Sequence, residues 1–171
     1  MPELLVLRLL HVLGGIFWLG SGLFTSLFLM PSLATAGPAA GAVMASMQRR
    51  RLFVVLPLVA TVTVLSGLRL LWIVSGGLDA RYLASGSGRA FAASGATALV
   101  AFLLGMFVGR PAMSRAARLG GQLAGAREEA ERASLQARVA TLQRRGRRVN
   151  AIVTVLLTVG AAGMAVARYL Q

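Results

Sequence analysis

The sequence predicts an all-α integral membrane protein that folds as a four-helix bundle. Of its 171 residues, 57% are hydrophobic and only 13% are charged, whereas a soluble domain of this length carries far more charge on its surface. Four stretches have almost no charged residue. Each is long enough to cross a hydrocarbon core of roughly 30 Å at about 1.5 Å per helical residue. We therefore expect one transmembrane domain that covers residues 1–171.

The four predicted spans are separated by turn residues and arginines. Pro31 is expected to end the first span, and the small residues at 39–47 favour a short helix at the membrane interface. Pro57 lies near the start of the second span, where neighbouring helices tolerate a kink. The predicted spans cover residues 4–30, 52–75, 90–109 and 149–170.

The long polar segment at 111–148 is predicted to be a cytoplasmic helical extension between the third and fourth spans. Pro111 begins it, and the pair Gly120-Gly121 is expected to break it. Over residues 124–145 apolar residues recur at helical spacing, which is typical of an amphipathic helix that continues into the fourth span. The residues that share the apolar face are Leu135, Val139 and Leu142.

The positions of the arginines predict the orientation of the bundle. All 18 basic residues are arginines, and ten of them lie between Arg110 and Arg148. Three more, Arg49, Arg50 and Arg51, precede the second span. Because positively charged loops stay in the cytoplasm, we expect a bacterial inner-membrane protein with both termini outside. The net charge of +13 then reflects contact with the lipid bilayer and its anionic headgroups, and we do not expect nucleic acid as a partner.

The single histidine of the chain, His11, lies inside the first span and is the best functional clue in the sequence. A buried imidazole in a membrane costs free energy unless it has a partner. Estimated from the ends of their spans, His11, Arg69 and Met164 lie at similar depth in the outer leaflet. At 3–4 spacing along the first span, one stripe is formed by Arg8, His11, Gly15, Trp18 and Gly22.

This arrangement predicts a site for b-type haem. A neutral imidazole nitrogen of His11 would coordinate the iron, and Arg69 and Arg8 would pair with the anionic propionates. Met164 is a candidate second axial ligand, and Gly15 with Trp18 would line the space for a flat macrocycle. The expected role is electron transfer or redox sensing. An enzymatic activity, if present, would be that of a haem-dependent membrane oxidoreductase.

Several other interpretations of the same residues stay open. The histidine could bond a backbone carbonyl or hydroxyl of a neighbouring helix, Arg69 could extend to the interface, and Met164 could simply pack. The protein would then be a cofactor-free accessory subunit that binds anionic lipid, a membrane-complex partner or a second copy of itself. Copper or small-ion transport is a further alternative, because Met and His suit Cu(I).

Most other chemistry is excluded by residue counts. The chain has no cysteine and one histidine, so disulfides, thiolate metal sites, a serine triad and a two-histidine zinc motif are all excluded. The sequence contains no phosphate-binding loop and no dinucleotide fingerprint. No catalytic residue is assigned.

The first span resembles that of CopD-like small bacterial membrane proteins and, more distantly, that of HemJ-type protoporphyrinogen oxidases. The resemblance lies in Leu10-His11-Val12, Trp18-Leu19-Gly20, Phe24 and Pro31. Residues 51–53 and 63–69 also resemble CopD-like chains at the second span. The resemblance to HemJ-type proteins implies that His11 is a haem ligand. Those proteins also carry a functional lysine that this chain lacks, so haem binding is implied here more than protoporphyrinogen oxidation.

Overall fold

The computed structural model describes residues 2–37, 39–123 and 125–170, and these residues form helices without any strand. Four of the helices are long and apolar enough to cross a membrane by length and composition, which confirms the predicted all-α bundle. The helices are α1 (Pro2–Thr35), α2 (Ala39–Arg49), α3 (Leu52–Val74), α4 (Ala80–Ala84), α5 (Gly86–Leu123) and α6 (Glu129–Ala167). The short helix predicted over residues 39–47 is confirmed as α2.

The four long helices pack side by side around a narrow interior. Helix α1 lies along α3 and α5 lies along α6, while the contacts α1–α6 and α3–α5 close the ring. The core is made by Ala101, Val153 and Leu157, with Trp18 packed against it. The ring of Trp18 meets Phe102 of α5 edge-on, with centroids 6.3 Å apart, so α1 and α5 touch across the middle of the bundle.

Large apolar side chains cover the outside of the bundle, and small or polar ones lie inside it. Leu13, Ile16 and Leu58 are each more than 60% exposed, whereas Thr63 and Ser66 are buried. This distribution is the reverse of that in a soluble protein. It suits a lipid environment, where helices associate through small residues and interhelical hydrogen bonds. The outer surface of the bundle is therefore compatible with contact with bilayer lipid.

The prediction that Pro31 ends the first span is wrong, because α1 continues through it to Thr35. A π-helical turn, Thr25–Leu29, precedes the proline, and the Met30 N–H bonds the Thr25 carbonyl. Proline clashes with the carbonyl four residues before it, and the wider turn relieves that crowding. Helix α5 repeats the arrangement, with the turn Gly105–Gly109 directly before Arg110 and then a proline.

The extension beyond the third span is one continuous helical hairpin. Helix α5 runs through Gly120-Gly121, so the expected break there is wrong. Each glycine costs about 1 kcal/mol relative to alanine, and packing of the buried Ala112 and Ala116 against α6 offsets that cost. Helix α6 begins at Glu129 and continues through the fourth span, as predicted. Residue 124, where this helix was expected to begin, lies outside the described residues.

The predicted apolar face of α6 is confirmed. Leu135 is buried, and Val139 and Leu142 are half-buried. Nearer the bundle, the buried Gly146 allows close approach of α5, because a β-carbon there would lie 2.5 Å from the sulfur of Met113.

Candidate functional site

His11 lies at the contact between α1 and α3, where its ring is held by a backbone carbonyl. The Nδ1 atom is 2.8 Å from the carbonyl oxygen of Thr63. A carbonyl oxygen only accepts hydrogen bonds, so Nδ1 carries a proton and donates it. In the neutral ring this fixes the tautomer and leaves the lone pair on Nε2. One of the alternatives kept open above, a hydrogen bond to a neighbouring helix carbonyl, is therefore present.

Glycines on both helices make room for this contact. A β-carbon on Gly67 of α3 would lie 2.6 Å from Cε1 and 2.8 Å from Nδ1 of His11, so only glycine fits beneath the ring. On α1, a β-carbon at Gly14 would collide with the hydroxyl of Thr63. Gly15 is less constrained, since its nearest neighbour in α3 is the Thr63 methyl group at 3.9 Å. Gly14 is thus a site residue that the predicted stripe missed.

The Thr63 carbonyl accepts a second side-chain hydrogen bond besides that of the histidine. The hydroxyl of Ser66 lies 3.0 Å from it and 2.6 Å from the Val62 carbonyl. The hydroxyl of Thr63 itself donates to the Val59 carbonyl at 2.8 Å. Both hydroxyl-bearing residues are buried, and their hydrogen bonds stay within α3. The carbonyl that orients His11 is therefore held in a rigid and fully satisfied segment.

The second ring nitrogen, Nε2, faces away from this carbonyl. Among the residues that the structure describes, Nε2 makes no hydrogen bond, and no buried side-chain nitrogen or oxygen lacks a partner. Because His11 is half-buried, these two facts mean that Nε2 is not fully buried. It lies 3.5 Å from the β-position of Gly67, farther than Nδ1. Nε2 is the atom of this site that can bind a ligand.

Arg69 has a partner that the sequence did not suggest. Its Nε and Nη2 atoms lie 2.9 and 2.8 Å from the same carboxylate oxygen of Glu3, which joins the end of α3 to the start of α1. Both side chains are about half exposed, at 49% and 59%, so this ion pair lies at the edge of the bundle. Arg8 is exposed and, within the described chain, forms no ion pair.

The other predicted site residues lie at different contacts of the bundle. Trp18 packs in the core against α5, away from the α1–α3 contact. Gly22 faces α6, where a β-carbon would lie 3.0 Å from the hydroxyl of Thr154. Met164 is half-buried on α6, next to Gly163, whose β-position is filled by the Ser94 hydroxyl of α5. The residues of the stripe on α1 therefore contact different helices: His11 and Gly15 contact α3, Trp18 contacts α5 and Gly22 contacts α6.

A second polar cluster, absent from the sequence predictions, joins α1 to α6. Asn150 Nδ2 donates to the Ser26 hydroxyl at 2.7 Å, and that hydroxyl lies 3.3 Å from the hydroxyl of Thr154. Thr154 in turn donates to the Asn150 carbonyl at 2.8 Å. Ser26 belongs to the π-helical turn of α1. The cluster satisfies its own groups and so is a structural link between the helices.

Comparison of the chain with protein-family models, with curated proteins and with solved structures finds no match. The fold defines the class of protein, which is a helical bundle with four helices long and apolar enough to span a membrane. The resemblance to CopD-like and HemJ-type proteins stays a prediction from the sequence.

Proposed function

We propose that this chain is a bacterial inner-membrane protein that binds one b-type haem through Nε2 of His11 and serves electron transfer or redox sensing. The observation that carries the proposal is the hydrogen bond from Nδ1 to the Thr63 carbonyl. Histidines that bind metals almost always donate their other ring N–H to a carbonyl or carboxylate, which fixes the tautomer and the ring orientation. His11 has that arrangement before any ligand is bound.

The residues around His11 would each have a defined part in binding. Gly67 lets the ring lie close to α3, and the Thr63 carbonyl holds the proton of Nδ1 in place. Arg8 is available for a propionate, whereas Arg69 would first have to leave Glu3. Met164, which lies on α6 and not at the α1–α3 contact, is the candidate for a second axial ligand. When bound, the iron would supply one-electron chemistry.

The test is the absorption spectrum of the full-length protein, purified in detergent from cells with an ample haem supply. We expect a Soret band that disappears in His11→Ala and keeps its intensity in Arg81→Gln, a control at an exposed position before α5. Met164→Leu separates the coordination states, because only a Met-ligated iron changes its spectrum. A colourless wild-type protein that elutes as a folded, monodisperse species would contradict the proposal.

A second candidate function is a cofactor-free accessory subunit. The same contacts also favour it, since the Thr63 carbonyl already accepts the hydrogen bond from Nδ1 of His11 and Glu3 already pairs with Arg69. In this case His11→Ala would leave spectrum and metal content unchanged. Deletion of residues 112–146 would instead abolish the recovery of a co-purifying membrane complex. Metal analysis of the same preparation tests the copper alternative.

A further inference from the structure

The helical hairpin that extends beyond the bundle contains a groove of about 650 Å³ between α5 and α6. It is an open surface groove, and most of its lining side chains are exposed to solvent. Three arginines line it, one polar residue from each helix lies beside them, and the rest of the lining is apolar. The lining residues are Arg115, Arg118, Leu119, Gln122, Ala137, Arg138, Thr141 and Leu142.

The charge of the groove is uncompensated by the protein. No acidic residue lines it, and within residues 2–37, 39–123 and 125–170 none of its three arginines pairs with a carboxylate. Elsewhere Arg69 does find such a partner in Glu3. Three guanidinium groups that face one groove repel each other, and an anion with several oxygen acceptors relieves that repulsion. Planar guanidinium groups bind phosphate oxygens in pairs, which favours phosphate groups as the anion.

The distance of the groove from the membrane indicates whether its phosphate comes from a lipid headgroup or from a soluble molecule. At about 1.5 Å per residue, Arg115 lies about 8 Å and Gln122 about 18 Å beyond Arg110, where the apolar span ends. Arg138 lies about 15 Å before Arg148 on α6. The headgroup layer on each side of a bilayer is only about 5–8 Å thick. Most of the groove therefore projects past the lipid phosphates into water.

We propose that this groove binds a soluble small molecule that carries two or more phosphate groups, as in a diphosphate ester. Arg115, Arg118 and Arg138 bind the phosphates, and the side-chain amide of Gln122 adds a neutral donor. The Thr141 hydroxyl lines the groove but already donates to the Ala137 carbonyl and accepts from Arg144. Leu119 and Leu142 form the apolar part of the wall, which suits an organic group attached to the phosphates. This inference uses no residue of the haem proposal, and either can fail without the other.

The experiment is a calorimetric titration of the full-length protein, in nanodiscs of zwitterionic phosphatidylcholine, with inorganic pyrophosphate. We expect saturable binding to one site per chain. Arg138→Gln and Arg115→Gln should each weaken binding by about tenfold or more, because each removes charge-assisted hydrogen bonds. Arg147→Gln is the matched control. It lies nine residues from Arg138, about two and a half turns and so on the opposite side of α6, and it should change the affinity by less than about twofold.

Three outcomes would overturn the inference. Equal weakening by Arg138→Gln and Arg147→Gln would mean general attraction to a basic hairpin, and absence of saturable binding would mean no site. A repeat in nanodiscs that contain anionic phosphatidylglycerol distinguishes the lipid source. We expect the pyrophosphate affinity to be unchanged there. Loss of pyrophosphate binding, with retention of phosphatidylglycerol by the wild type and not by Arg115→Gln, would show that the groove holds lipid headgroups instead.

Discussion

The α1–α3 contact around His11 and the α5–α6 hairpin around Arg138 differ in whether their polar side chains have partners within the protein. At the first, every buried polar group finds a partner inside the helices, and glycines bring the backbones close enough for the histidine to reach a carbonyl. At the second, an open groove lies between the two helices, and within the described chain none of its three arginines forms an ion pair with a carboxylate. In lipid an unpaired polar group is very costly, whereas in water it is cheap and available for a ligand. We therefore predict that a glycine-to-alanine substitution changes the free energy of unfolding differently in the two regions.

The largest effect is expected at Gly67. Gly67→Ala would place a β-carbon 2.6 Å from the ring of His11, and such overpacking typically costs about 1–3 kcal/mol. The free energy of unfolding, measured by denaturant titration in detergent micelles, should fall by that amount. The control is Gly20→Ala on α1, where a β-carbon meets nothing within 4 Å.

A double substitution then tests whether the imidazole is the cause. In a His11→Ala background the ring is gone, so Gly67→Ala should lose most of its effect on the free energy of unfolding. If Gly67→Ala destabilised both backgrounds equally, the ring would not be what occupies the space beside Gly67.

The same substitution in the hairpin should have the opposite sign. A β-carbon at Gly120 or Gly121 meets no atom within 4 Å, and both residues are helical. Gly120→Ala should therefore stabilise this part of α5 by about 0.4–1 kcal/mol by reducing the freedom of the unfolded chain. Hydrogen exchange of the α5 amides would show this as slower opening. Faster exchange would mean that the glycine is needed for the bend or mobility of the hairpin.

The smallest effect is expected at the ion pair between Glu3 and Arg69. Both side chains are about half exposed, and pairs of this kind contribute about 0.3 kcal/mol. Glu3→Gln should lower the free energy of unfolding by that amount at low ionic strength and by nothing measurable at high ionic strength, because salt screens exposed charges. A loss well above 1 kcal/mol would show that the pair is shielded by lipid from water.

The sequence predicted the architecture well because hydropathy and length are averages over many residues. It failed at Pro31 and at Gly120-Gly121, where local rules for helix ends were outweighed by a π-helical turn and by packing between α5 and α6. His11 was predicted as the site because an isolated ionisable residue in lipid is conspicuous.

The residues that contact His11 and Arg69 could not be predicted from the sequence. Thr63, Gly67 and Gly14 are common residues of membrane helices, and only the register between α1 and α3 brings them to the histidine. Glu3 as the partner of Arg69 follows from the same register. The groove depends on how far α5 and α6 separate, which no spacing along one helix reveals.

Because the chain has one histidine, the state of its ring can be observed without assignment. A proton–nitrogen correlation spectrum of the full-length protein, labelled with ¹⁵N only in histidine, reports which ring nitrogen carries the proton. The account predicts the Nδ1–H tautomer with an unprotonated Nε2. Addition of haemin should shift or broaden both ring-nitrogen signals, because ferric haem iron is paramagnetic, with the larger change at Nε2. A spectrum of the Nε2–H tautomer, or one that haemin leaves unchanged, would contradict it.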